Sequence, residues 1–413
     1  MSRQPTSRDA GPSTWVDHAA GSLYDIDNLP YGVFSHDDEA PRVGVRIGDY
    51  VLDLAPVAAS EMLEVAHVFE AADLNPFLAT GRDTWSGVRS WVTGLLSDEA
   101  ERGMVEPSLV PVDEAVMHLP ITVADYVDFY SSLEHATNVG KMFRPDAEPL
   151  LPNWRHLPVG YHGRAGTVVV SGTQVGRPRG QVKSPDEQAP SYAASQRLDI
   201  EAELGFVVGA PSGLGEQVGV QGFEEHVFGV LPLNDWSARD IQSWEYVPLG
   251  PFLGKSFATS IAGWVTPLEA LEHARSELPG QDPEPLSYLQ VGPRAGYDID
   301  FEIELNGEVL ARPPYSSMYW SPAQMLAHMT VNGASLRTGD LFASGTISGP
   351  ERDQRGSFLE LSWGGKEPFL AGGRERRFLE DGDTVTIRAT APGRHDRLAL
   401  GEVTGTITPA TPL

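Results

Sequence analysis

From about residue 119 to the end, short apolar runs such as residues 167–170, 206–208 and 384–387 alternate with glycine and proline turns. Punctuation of that kind leaves little room for long helices, so this large part of the chain is predicted to be mostly β. The best helix starts at Ser131-Ser132-Leu133-Glu134, a capping-box pattern in which the Ser131 hydroxyl and the Glu134 carboxylate each satisfy an orphaned amide. Upstream, Val43, Val45 and Ile47 alternate with Arg42, Gly44 and Arg46, and Tyr50-Val51-Leu52-Asp53-Leu54 follows the Gly48-Asp49 turn. Together they predict a hairpin, and a small β-barrel is the expected setting. Thr84 is placed as the cap of a helix whose Trp85, Val88, Val92 and Leu95 fall on one face. Acids and prolines over residues 97–118 put the domain boundary near 118. The expected division is a flexible tail over 1–20, a small domain over 21–118 and a large one over 119–413.

A length of 413 residues exceeds what a single core usually serves, which agrees with two domains. There is no cysteine, so disulfides, thiolate metal sites and cysteine nucleophiles are excluded, and any metal must sit on oxygen or imidazole. A formal net charge of -27 disfavours nucleic acid and anionic membranes as partners. The opening MSRQPTSRDAGPSTW lacks the apolar run of a secretory signal, and no stretch reaches the length of a membrane span, so a cytoplasmic location is expected. With so few lysines (Lys141, Lys183, Lys255 and Lys366), Lys255 stands out for lying in the apolar, glycine-rich segment 246–257.

Three clusters carry chemistry. In a strand, Asp128 and Tyr130 share a face while Phe129 enters the core, and His135 follows shortly after. A histidine there is more often a plain hydrogen-bonded residue than a base. Glu201 and Glu203 form a second i, i+2 pair, flanked by Ile200, Leu204 and Phe206-Val207-Val208. A solvated face is the commoner explanation of such a pair, but a strand running into so apolar a stretch points to a cation. In the third cluster, Asp235 ends an apolar run, and Arg239 and Gln242 follow at intervals of four and three. Asp128, Glu201, Glu203 and Asp235 make an all-oxygen set suited to calcium or magnesium. An anionic substrate then needs Arg144, Arg239 and Lys255 close by.

The stretches DFYSSLEHATNVGKMFR, PNWRHLPVGYHGRAGTVVVSG, LNDWSARDIQSWEYVPLGPFLGKSF, MYWSPAQMLAHMTVNGASLRTGDLFASGTISGPE and SFLELSW resemble the fumarylacetoacetase (fumarylacetoacetate hydrolase) family across residues 128–363. Before residue 118 the likeness rests mainly on LPYGVF. The resemblance implies a homodimer with an SH3-like N-terminal barrel and a β-rich catalytic domain. It also implies hydrolysis of 4-fumarylacetoacetate to fumarate and acetoacetate, the last step of tyrosine and phenylalanine breakdown. Carried over by motif, the metal ligands are Asp128, Glu201, Glu203 and Asp235, with Lys255 and Thr259 beside a second, magnesium position. His135 takes the place of the general base, oriented by Glu360. Arg239, Gln242 and Lys255 stabilise the oxyanion, and Tyr130, Arg144, Tyr161, Gln242, Tyr246 and Thr346 contact substrate. An acylpyruvate hydrolase, an oxo-acid decarboxylase and a non-catalytic carboxylate-binding protein are the rival readings.

Overall fold

The computed structural model of the protein describes residues 13–37 and 39–412. The hairpin forms as its alternation predicts: Arg42–Ile47 pairs antiparallel with Tyr50–Asp53, across a turn where Gly48 has a φ of +54°. Strand Tyr31–Ser35 pairs on one side with Arg42–Ile47 and on the other with Trp264–Pro267, far along the chain. Gly32 permits that close pairing, because a Cβ there would lie 2.7 Å from the Gly263 carbonyl oxygen. The N-terminal strands therefore run on into the sheet of the larger part, and no closed barrel is found among the described residues. One core binds the two parts, uniting Val33, Val45 and Phe77 with Leu231, Ile261 and Leu341.

Residues 1–12 of the expected tail lie outside the described residues. Residues 13–20 do not behave as a free tail: Val16 and Ala19 are buried, and the Trp15 indole donates to the Leu95 carbonyl at 2.8 Å. An aromatic at 15 can cover the end of helix Arg82–Ser97, and composition alone hid this. In that helix Trp85, Val88, Val92 and Leu95 are buried as the spacing predicts. It begins earlier than expected, capped at Gly81, so Thr84 lies inside it and is no cap.

The larger part is built on strand Ala202–Val208, buried along its whole length. It lies between the antiparallel strands Val227–Asp235 and Leu341–Ala343. Burial on both faces explains why these strands read as apolar runs without alternation. The sheet continues through Tyr126–Phe129, parallel to Leu341–Ala343, to Gly160–His162. A separate five-stranded sheet carries the long strands Thr384–Pro392 and Arg397–Thr408, and both sheets contribute to one core through Val230, Trp236, Ile387 and Val403. With 28% strand and 24% helix, the chain is α+β with strands predominating. No helix among the described residues is long and apolar enough to cross a membrane.

Candidate active site

Asp128, Glu203 and Asp235 come from strands of the same sheet, and register sets them on one face. Asp128 is level with Ala343, which is level with Gly205, two residues beyond Glu203; Glu203 is level with Leu233, two residues before Asp235. Side chains two apart in a strand share a face, so these carboxylates converge with Glu201. Oxygens of Asp128, Glu201, Glu203 and Asp235 all lie within 4.8 Å of one another, and all four residues are buried. The loop after Leu341–Ala343 adds a backbone donor, the Gly345 N–H to Glu203 Oε2 at 3.0 Å. Gly345 has a φ of +75°, and a Cβ would sit 2.2 Å from the Phe129 carbonyl oxygen, so only glycine fits.

Charge inside this cluster is unbalanced. Lys255 Nζ bridges Glu201 Oε2 at 2.5 Å and Asp235 Oδ2 at 2.6 Å, and Arg239 Nη1 meets Glu201 Oε1 at 2.8 Å. Burial would raise Glu201, but Lys255 and Arg239 outweigh it and hold its carboxyl well below the usual range. Asp128 and Glu203 make no direct ion pair among the described residues, and the pull of Lys255 on them is outweighed. Burial, with Asp235 beside one and Asp128 beside the other, pushes both far up. Asp128 Oδ1 and Glu203 Oε1 are buried without any hydrogen-bond partner. Lys255 and Arg239, the latter shared with Asp199, are too few cations to balance the four carboxylates, and a divalent ion would make up much of the deficit. A hard cation is what two orphaned carboxylate oxygens in an all-oxygen set fit, and the cluster can hold a metal ion.

Beside it lies the imidazole. Helix Leu133–Phe143 is capped by Ser132, whose Oγ accepts from the His135 N–H; the cap therefore sits one residue beyond the predicted Ser131, and with His135 rather than Glu134 at the third helical position the predicted capping box does not form. The Ser131 hydroxyl points instead at Met325. His135 Nδ1 meets Glu360 Oε2 at 2.7 Å, and Nε2 lies 3.9 Å from Glu201 Oε1. Glu360 also accepts from Ser348 and Ser357 on Oε2 and from Asn138 on Oε1. Burial alone would raise Glu360, but His135 and these donors hold it below its ordinary value. The Tyr130 ring and the imidazole pack edge to face, centroids 5.4 Å apart and planes 82° apart.

His135, Asp128 and Glu201 open on a cavity of about 420 Å³, and Tyr130, Arg144, Tyr161, Arg239, Gln242, Tyr246 and Lys255 share its walls. Arg144 closes the helix that carries His135 and donates to the Pro149 carbonyl at 2.6 Å. Tyr161 OH lies 3.3 Å from Asp235 Oδ2. Glu203, Asp235 and Glu360 stand behind this wall, as does Thr259, whose hydroxyl donates to Asp235 Oδ1 at 3.2 Å. Lys255 is not among the grouped oxygens, and its paired carboxylates outweigh burial to keep it protonated, with no lone pair for an ion. Thr346 is buried off the cavity wall, its hydroxyl unpartnered. The helix salt bridge that Asp235 and Arg239 would make at i, i+4 is replaced: Arg239 pairs with Asp199 and Glu201, because Asp235 ends a strand and the helix begins only at Arg239.

Sequence reasoning passed over Asp199, Asn138, Ser348 and Ser357. Asn138, three residues after His135 on the same helix face, is the one that spacing could have found.

An open mixed sheet presenting four buried carboxylates beside a His–Glu pair defines a candidate metal-assisted hydrolytic centre. The family profile described as "Fumarylacetoacetase N-terminal" matches residues 27–120, and "Fumarylacetoacetate (FAA) hydrolase C-terminal" matches residues 125–408. The chain belongs to the fumarylacetoacetate hydrolase family. It is 46% identical to the fumarylacetoacetase of Homo sapiens over 96% of this chain and 99% of the relative, and 43% identical to that of Oryza sativa subsp. japonica over 97% and 98%. Among solved structures, the fold resembles a fumarylacetoacetate hydrolase from Exiguobacterium antarcticum (TM-score 0.55, 17% identity, 92% of this chain and 99% of that one). It also resembles a maleylpyruvate hydrolase from Sphingobium (TM-score 0.52, 14% identity, 92% and 100%). At such identities these likenesses concern the fold alone.

Proposed function

We propose that this protein hydrolyses the carbon–carbon bond of 4-fumarylacetoacetate, releasing fumarate and acetoacetate as the last step of tyrosine and phenylalanine breakdown. The observation that carries the reading is the buried His135–Glu360 pair, 2.7 Å long, opening on the cavity beside the four-carboxylate cluster. Identity to fumarylacetoacetases over nearly the full length supports it.

Asp128, Glu201, Glu203 and Asp235 would hold the divalent ion, calcium or magnesium, which when bound supplies Lewis acidity to a 1,3-diketone and to the enolate that leaves it. The rest falls to side chains. With Nδ1–H donated to Glu360, His135 keeps Nε2 free to take a proton from the attacking water, a role worth ~10²- to 10⁴-fold. Arg239, Gln242 and Lys255 face the tetrahedral oxyanion as donors. Arg144 with Tyr130, Tyr161 and Tyr246 binds the substrate's polar ends, and Thr346, which lies off the cavity wall, is left out of that set. A second, magnesium position beside Lys255 and Thr259 belongs to the same reading, with the ammonium as charge neighbour and the hydroxyl as oxygen donor. So do a homodimeric, cytoplasmic protein, an SH3-like N-terminal topology and a domain division near residue 118.

The test is to follow the diketone's ultraviolet absorbance with purified protein and fumarylacetoacetate. Rapid loss with stoichiometric fumarate is expected. No loss, or faster turnover of an acylpyruvate or release of carbon dioxide, overturns the assignment.

A further inference from the structure

Asp199 is absent from the chemistry above, although it is fully buried and makes four hydrogen bonds. Its Oδ1 accepts from the backbone N–H groups of Ile200 and Phe358, each at 2.8 Å. Its Oδ2 accepts from Leu359 N–H at 3.0 Å and from Arg239 Nε at 2.8 Å. Three of the four donors are backbone groups, so the carboxylate is pinned before it meets the arginine. The short ladder joining Leu198–Asp199 to Ser237–Ala238 sets Asp199 level with Ser237, and the Arg239 N–H returns to the Arg197 carbonyl at 3.0 Å.

The consequence lies in how the guanidinium is shared out. With Nε taken by Asp199 and Nη1 by Glu201, the planar fork has its orientation fixed. Nη2 is left buried with no partner, on a residue that lines the cavity. A buried orphan donor is costly unless something arrives to accept from it, and a preset donor aimed at developing charge is what oxyanion stabilisation requires.

We infer that Asp199 is a positioning residue that holds Arg239 so that Nη2 stays free for the oxyanion. The inference rests on the hydrolytic reading above. Asp199 also accepts from the Phe358 and Leu359 amides of the turn bearing Glu360, which Ser357 caps separately, so the test must separate a loss through Arg239 from one through that turn.

The experiment is a double-mutant cycle of Asp199→Asn and Arg239→Lys, the lysine having no Nε to be held. Asp199→Asn alone should lower kcat by ~10²-fold, with KM within about threefold and calcium affinity, measured by calorimetry, unchanged. In the Arg239→Lys background it should cost less than about threefold more, since a shared mechanism is non-additive. An equal loss in both backgrounds, or calcium affinity falling in step with kcat, overturns the inference and leaves Asp199 a structural residue. Should Asp199→Asn not fold, a crystal structure of the wild-type protein decides: Arg239 Nε within hydrogen-bond distance of Asp199 is expected, and a guanidinium turned away refutes the clamp. Wild-type protein inert toward fumarylacetoacetate would sink the hydrolytic reading instead, while that crystal structure would still report on the clamp.

Discussion

Glu360→Gln isolates the charge behind the imidazole while keeping its shape. An amide nitrogen at the Oε2 position would face donors from His135, Ser348 and Ser357, whereas at Oε1 it faces only Asn138. Asn138 can turn its own amide over to present oxygen, so the glutamine should settle with nitrogen toward Asn138 and oxygen toward His135. The tautomer then survives and only the charge is lost. Coulomb attraction across 2.7 Å at an effective dielectric of about 20 sets a ceiling of about 6 kcal/mol. A hydrogen bond to a charged partner contributes a net ~1.5 to 3 kcal/mol, which is ~10- to 150-fold in rate. Trapping the wrong tautomer instead would cost ~10⁴-fold, the size seen when a buried carboxylate behind a catalytic histidine becomes an amide. Steady-state kinetics should therefore show kcat down about 10²-fold, with KM and calcium affinity preserved. A variant within about threefold of wild type would refute a contribution of the Glu360 charge to turnover through the His135 imidazolium.

Chelation with excess EDTA should abolish turnover and lower Tm, and added calcium or magnesium should restore both; full activity in metal-stripped protein would discard the ion at the carboxylates. Gly345→Ala puts a Cβ against the Phe129 carbonyl at positive φ, a strain of ~1 to 3 kcal/mol, and displaces the amide that holds Glu203. It should lower Tm and calcium affinity together, and an unchanged Tm by scanning calorimetry would contradict that. Burial pushes Asp340 up to about 6, above its ordinary value in an unfolded chain, so its contribution favours folding below about pH 4 and is lost as pH rises through about 6. Asp340→Asn should gain Tm over wild type as pH is raised from 4 to 7, and a Tm difference flat with pH would refute the shift.

What was legible in the sequence, and what was not, follows from the range over which each signal acts. Asp128, Glu203 and Asp235 stand out because each is a carboxylate written into a largely apolar strand, with Glu201 just ahead of one, and a strand buried on both faces tolerates a charge only for a reason. The i, i+2 arithmetic that paired Asp128 with Tyr130 needs no tertiary knowledge, and both line the cavity. The pairing of Tyr31–Ser35 with Trp264–Pro267 joins segments more than 230 residues apart, and no local pattern separates an edge that closes into a barrel from one that meets a distant strand. The helix starts differ by one and three residues because Ser131 and Ser132, or Gly81 and Thr84, are each acceptable local caps, and only packing selects between them. Asp199 shows the limit most clearly: it belongs to the same alternating acidic series as Glu201 and Glu203, yet its oxygens serve amides 159 and 160 residues away and an arginine 40 away. Carboxylates at identical spacing thus divide into a pair that joins the acidic cluster and one that accepts from Arg239, and the division is made by which distant backbone arrives, a quantity that only the folded chain contains.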